Sequence, residues 1–115
     1  MIGLHPCYVD EDYKKELDFV KDEIKRGKYC AIGEIGIDLY HEKKFLKQQI
    51  IAFEEQINLA ITYDLPIVIH CRESFNEIYD VIKNFKSNNL KGIFHCFSGP
   101  IEEAEKIIDL NFSLG

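Results

Sequence analysis

The chain has 115 residues, 46% of them hydrophobic, which suffices for one core and excludes both a disordered polymer and two independent domains. Fourteen lysines and arginines against twenty aspartates and glutamates leave a net charge of −6 at pH 7, which excludes a basic surface as the main source of attraction for a polyanion. If the chain handles nucleic acid, bound metal cations must supply much of the attraction for phosphate.

In chain order, the first unit opens with the strand-like Ile2-Gly3-Leu4-His5-Pro6. Asp10 is placed to cap a helix on which Leu17, Val20 and Ile24, three and four apart, share one face, and which stops near Gly27. The second unit begins with an apolar run over 30–37, interrupted by Glu34. A long helix follows over about 43–63, with Phe45, Gln49, Phe53, Gln56, Ile57 and Ala60 lying near one another. The third unit is a β-branched strand over 66–70 and a helix over 74–85, with Ile78, Val81, Ile82 and Phe85 inward. The fourth is a strand over 92–95, then Ser98-Gly99-Pro100 as a cap and first-turn signal, then a helix with Ile101, Ala104, Ile107 and Ile108. Residues 111–115 read as the start of a fifth strand.

These strands are continuous apolar runs rather than alternating ones, the pattern of a parallel sheet covered on both faces. Regular strand–helix repetition fits a TIM barrel or an open doubly wound sheet. No linker interrupts residues 1–115, so one α/β domain is expected. No apolar run approaches the roughly 20 residues of a membrane span. No basic n-region follows Met1, so a cytoplasmic protein without a signal peptide is expected. Cys7, Cys30, Cys71 and Cys96 form no CxxC pair and are expected to be reduced thiols.

In a parallel sheet all C-terminal strand ends lie on one side, where active sites of barrels and open sheets form. His5, His70 and His95 end three strands, and Glu34 lies well along another. A single strand-end histidine is most often an ordinary hydrogen-bonded residue. Two equivalent histidines and a carboxylate on neighbouring strands are costly groups for a covered sheet, and a cation offsets that cost. Imidazole and carboxylate suit divalent ions, and two ions about 3.5–4 Å apart serve phosphodiester hydrolysis. The pairs His70-Cys71 and His95-Cys96 raise a rival His2Cys2 zinc site. Alternation along a strand instead turns the cysteines away from the histidines, toward the helices. Arg72 is either a phosphate clamp or a surface ion pair with Glu73 or Glu77. Ser98 and Gly99 precede a helix and offer either an anion site or an ordinary cap. Asp38 is a candidate support or capping residue, and His41 a solvated loop residue.

Four blocks together resemble the TatD family of metal-dependent deoxyribonucleases, within the amidohydrolase-like barrels. They are Gly3-Leu4-His5-Pro6, Ala31-Ile32-Gly33-Glu34-Ile35-Gly36-Ile37-Asp38, the run 65–73 containing His70-Cys71-Arg72-Glu73, and His95-Cys96-Phe97-Ser98-Gly99. The resemblance implies a TIM barrel, a divalent-metal site and hydrolysis of DNA phosphodiester bonds. It implies two ions per complete site, of Mg, Mn or Zn. By motif position Glu34 is the bridging and catalytic carboxylate, His70 and His95 are metal ligands, and His5 is a histidine beside the metal with a catalytic role. Arg72 and Ser98 are the expected substrate contacts. The family often has a second histidine where this chain has Cys7. The family's N-terminal His-x-His pair and its late metal-binding aspartate have no counterpart here. The expectation is a central portion of the barrel, about strands two to five with a piece of six, open at both sheet edges and prone to self-association. Hydrolysis of another ester or amide by the same metals, and a barrel portion without catalysis, are the competing readings.

Overall fold

A computed structural model describes residues 1–115, the side chain of Ser87 left aside. Four strands form one sheet in the order β1-β2-β3-β4: β1 (Ile32–Asp38), β2 (Ile67–Arg72), β3 (Gly92–Phe94) and β4 (Ser113–Leu114). Every adjacent pair is parallel, as expected for strands separated by helices. Those helices are α1 (Tyr13–Ile24), α2 (Leu46–Thr62), α3 (Phe75–Ile82) and α4 (Ile101–Asp109). A 3-10 turn, Pro6–Tyr8, precedes α1, and a second 3-10 segment, Lys83–Asn88, extends α3.

The N-terminal segment is less regular than its sequence suggests. Only Ile2 bridges β1, at Ile32, and the backbone turns at His5. What replaces further strand pairing is a side chain. Gln56 of α2, 1% exposed, accepts the Leu4 N–H at 2.7 Å and donates to the Leu4 carbonyl at 3.3 Å. Two helical turns earlier, Gln49 does the same for Asp38, accepting its N–H at 2.8 Å and donating to its carbonyl at 3.1 Å. A primary amide carries one acceptor and two donor hydrogens, so it can pair with one residue's backbone as a neighbouring strand would. This accounts for two glutamines on the buried face of an otherwise apolar helix.

The helices end where the sequence indicates, with local differences. Asp10 caps the turn leading into α1, its Oδ1 accepting the Asp12 N–H at 2.8 Å. Gly27, at φ +68°, receives the chain after α1, a conformation that favours glycine. α4 starts on Pro100, and the Ser98 hydroxyl makes no capping bond. Ala104 and Ile107 face inward, whereas Ile101 and Ile108 are exposed.

The main core lies between sheet and helices. Ile32, Ile35, Ile37, Ile67 and Ile69 from the strands meet Phe53, Ile57, Ile78, Ile82 and Ile107. A smaller cluster of Leu4, Val9, Tyr13, Leu17 and Ala52 seats α1 against α2. Among the described residues no helix is long and apolar enough to cross a membrane.

Candidate metal centre

β1 carries an irregularity at Glu34. Gly33 pairs with Val68 and Ile35 with Ile69, so Glu34 has no partner on β2. A bulge of this kind lets one residue leave the alternation, and such bulges commonly re-aim a side chain beside a site. Here it keeps Ile32, Ile35 and Ile37 in the core while Glu34 is only partly covered. Gly36 is required next. At φ +146° it lies against β2 so closely that a Cβ would strike the His70 carbonyl oxygen.

Glu34, His70 and His95 converge. Glu34 Oε2 stands 3.0 Å from His95 Nδ1 and 3.9 Å from His70 Nδ1. Two ligands held about 2.1 Å from a tetrahedral ion stand about 3.4 Å apart. Each separation lies near that value, so the carboxylate could share a divalent ion with either histidine, but among the described residues these three do not form a group whose ligand atoms all lie within 4.8 Å of one another. Glu34 and His70 side chains are 25% and 21% exposed, partly shielded yet open to solution.

The orientation of His70 is fixed from behind. Its Nε2 lies 2.7 Å from Asp38 Oδ2. A carboxylate at that distance holds the ring hydrogen on Nε2 and leaves the lone pair on Nδ1, the nitrogen facing Glu34. Asp38 is itself gripped by Gln49 through its backbone, and its Oδ1 accepts the Tyr40 N–H at 2.9 Å. Burial pushes the Asp38 carboxyl up, but the Tyr40, His70 and Cys7 hydrogen bonds outweigh it and hold the group below its usual range. Asp38 therefore both supports a histidine and caps a turn.

His5 sits beside this pair, its ring centroid 4.4 Å from that of His70. Its Nδ1 accepts the Cys7 N–H at 3.1 Å, which leaves an Nε2–H to present outward. Burial, then the neighbouring His70, lower its pKa against the opposing pull of Glu34 and Asp38, which favours the neutral ring. One atom of each of His5, Cys7 and His70 falls within 4.8 Å of the others. We do not read that trio as a metal site. His70 Nε2 faces Asp38, His5 Nδ1 already accepts a hydrogen bond, and the Cys7 thiol lies 3.4 Å from the same Asp38 oxygen.

The two His-Cys pairs differ. Cys71 faces Ser74 and packs against the core, as alternation predicts, and burial raises its pKa. Cys96 departs from that expectation. β3 ends at Phe94, Cys96 adopts φ +52°, and its exposed sulfur lies 3.6 Å from His95 Nε2. Among the described residues no His2Cys2 group gathers, and all four cysteines are free thiols. Arg72 pairs with neither Glu73 nor Glu77; its guanidinium stacks 3.7 Å above the Tyr40 ring. Ser98 lies exposed in the loop after His95, on the wall of a 490 Å³ groove that also includes His95, Glu73, Glu77 and Glu103.

A family model described as TatD related DNase matches residues 1–115. The chain belongs to this family. It is 34% identical over 113 residues to the uncharacterized metal-dependent hydrolase YabD of Bacillus subtilis, covering 98% of this chain and 44% of that protein. It is 28% identical over 113 residues to the 3'-5' ssDNA/RNA exonuclease TatD of Pantoea ananatis, again 98% and 44%. The crystal structure of YJJV, a TatD homologue from Escherichia coli, superposes with a TM-score of 0.89 at 29% identity, over 99% of this chain and 44% of that one. The four βα units are thus part of a TIM barrel, and the chain spans less than half the length of these relatives.

Tyr40, Gln49 and the Cys7–Asp38 contact carried no role in the sequence reading. For Gln49 a signal existed, a polar residue on an apolar helix face. For Tyr40 there was none, because its position follows from the loop path after β1.

Proposed function

We propose that this TatD-family chain contributes to metal-dependent hydrolysis of DNA phosphodiester bonds. The observation that carries the reading is the Glu34 carboxylate between the inward nitrogens of His70 and His95. Glu34, His70 and His95 would hold divalent ions, of Mg, Mn or Zn, and the Glu34 carboxylate would offer two oxygens to them. Such ions supply Lewis-acid stabilisation of a phosphoryl oxygen and lower the pKa of water.

The chain's own groups do the remaining work. Asp38 keeps the His70 lone pair aimed at the site, the arrangement in which an outer carboxylate raises a metal-binding histidine's basicity. His5 presents an Nε2–H to a substrate oxygen or to water. Arg72 and the loop at Ser98 flank the site and are proposed as phosphate contacts. The family's description and the exonuclease name of the Pantoea relative support a nucleic-acid substrate.

The test is hydrolysis of labelled DNA, and of a parallel ester and amide panel, with Mg²⁺, Mn²⁺ and Zn²⁺ supplied in turn. Glu34→Ala is expected to lose metal binding and DNA cleavage together. Wild-type cleavage in that variant would remove Glu34 from the reaction, and cleavage confined to the ester or amide panel would overturn the DNA assignment.

A further inference from the structure

On the side of β1 away from β2, strand pairing stops early. Ile2 bridges Ile32 and its carbonyl accepts the Gly33 N–H at 2.9 Å, but among the described residues no strand runs beside Asp38 on that side. Leu39 sends its N–H to Arg72 of β2, so Asp38, one step earlier, directs its own N–H and carbonyl the other way. Asp38 is buried, and its backbone groups need partners there. One buried side chain meets both: Gln49 Oε1 accepts the N–H at 2.8 Å and Nε2 donates to the carbonyl at 3.1 Å.

The amide stands on a fixed support. Phe53, one helical turn on, is fully buried in the main core, and Ile57 and Ala60 follow it on the same face of α2. Gln49 therefore decides where the end of β1 lies relative to the rest of the fold. From Asp38 the contacts run on to the site, where Oδ2 meets His70 Nε2 at 2.7 Å. That contact tolerates little drift, since a hydrogen bond is lost once its heavy atoms part by more than about 3.5 Å.

We propose that Gln49 is a positioning residue of the metal centre: standing in for a neighbouring strand beside Asp38, it holds that carboxylate against His70 and so sets which His70 nitrogen faces Glu34. The proposal rests on the reading of Glu34, His70 and His95 as metal ligands and extends it to a buried residue of α2 that touches neither metal nor substrate. Gln56, two helical turns on, supplies a matched control. It pairs with the Leu4 backbone in the same way, and its bonds go to Leu4 and Ala52, none to the site.

The test compares Gln49→Leu with Gln56→Leu. Each strands one residue's buried backbone groups, so both are expected to lose stability in chemical denaturation. Two readouts separate them: Zn²⁺ and Mn²⁺ affinity by titration calorimetry, and the His70 tautomer from ring nitrogen-15 shifts in the metal-free protein. Gln49→Leu is expected to weaken metal binding roughly 10-fold, the low end of the range for disturbing the outer partner of a metal-bound histidine, and to move part of the ring hydrogen from Nε2 to Nδ1. Gln56→Leu should match wild type in both. Should Gln49→Leu fail to fold, Gln49→Asn, whose amide is one methylene short, is expected to shift the tautomer in the same direction. Wild-type affinity and tautomer in the Gln49 variants overturn the proposal, because water from the 140 Å³ cavity bordered by Gln49 and Asp38 would then have replaced the amide. An equal change in Gln56→Leu also overturns it, as a general loss of packing. If wild type takes up no ion, or no more than His70→Ala, the metal reading falls by itself, and the ring shifts still decide whether Gln49 sets His70.

Discussion

Asp38→Asn separates the support of the candidate metal centre from its proposed ligands. The 2.7 Å contact with His70 is a charge-assisted hydrogen bond, worth about 1.5–3 kcal/mol when formed by an ionised group. The substitution removes the charge and lets an amide N–H face His70 Nε2, which favours the opposite tautomer and turns an N–H toward Glu34. At about 1.4 kcal/mol per factor of ten, the loss amounts to roughly 10- to 100-fold in metal affinity, the range found for removing outer partners of metal-bound histidines. The fold should survive. Gln49 bonds only the backbone of residue 38, and the Asn side-chain oxygen can still accept the Tyr40 N–H. Titration calorimetry with Zn²⁺ and Mn²⁺ on wild type, Asp38→Asn and His70→Ala reads the effect. Unchanged affinity in Asp38→Asn, with binding lost in His70→Ala, would refute the argument that Asp38 sets the lone pair. The same carboxyl gives a metal-free signature. Its folded pKa lies below the unfolded value of about 3.9, so its stabilisation is present above that pH and is lost as pH falls through the folded value. Asp38→Asn should therefore flatten that part of the acid denaturation profile.

Gln56→Leu removes three hydrogen bonds and strands the Leu4 N–H and carbonyl in the core, so chemical denaturation should show a loss of about 2–5 kcal/mol; a loss under 1 kcal/mol would mean that water takes over those groups. Gly36→Ala pushes β1 from β2 at His70 and should cost about 1–3 kcal/mol while weakening metal binding; an unaltered midpoint in the same assay would show that the strands can separate freely. Self-association is expected through β4, two exposed residues bonded on one side to β3; sedimentation velocity should show a concentration-dependent increase in size, and a monomer at all concentrations would contradict it.

The sequence by itself determined the class of fold and named the residues of the candidate site. Apolar runs alternating with amphipathic segments admit little besides a parallel sheet covered by helices, as a barrel or an open sheet, because each run must bury both of its faces. That directionality brings Glu34, His70 and His95 to one rim whatever the details. Local interactions also fixed the Asp10 turn and the arrest of α1 at Gly27. The tertiary structure decided what depends on contacts between distant segments. Alternation along β1 cannot foresee the bulge that releases Glu34, since a bulge is a property of the pairing of two strands. Arg72 does not form the expected ion pair because it stacks on Tyr40, 32 positions away in the chain and adjacent only after β1 and β2 align. Gln49 and Gln56 look misplaced on a helical wheel; they make sense only when the backbones of Asp38 and Leu4 arrive beside them, because a buried amide is tolerated where its hydrogen bonds are met.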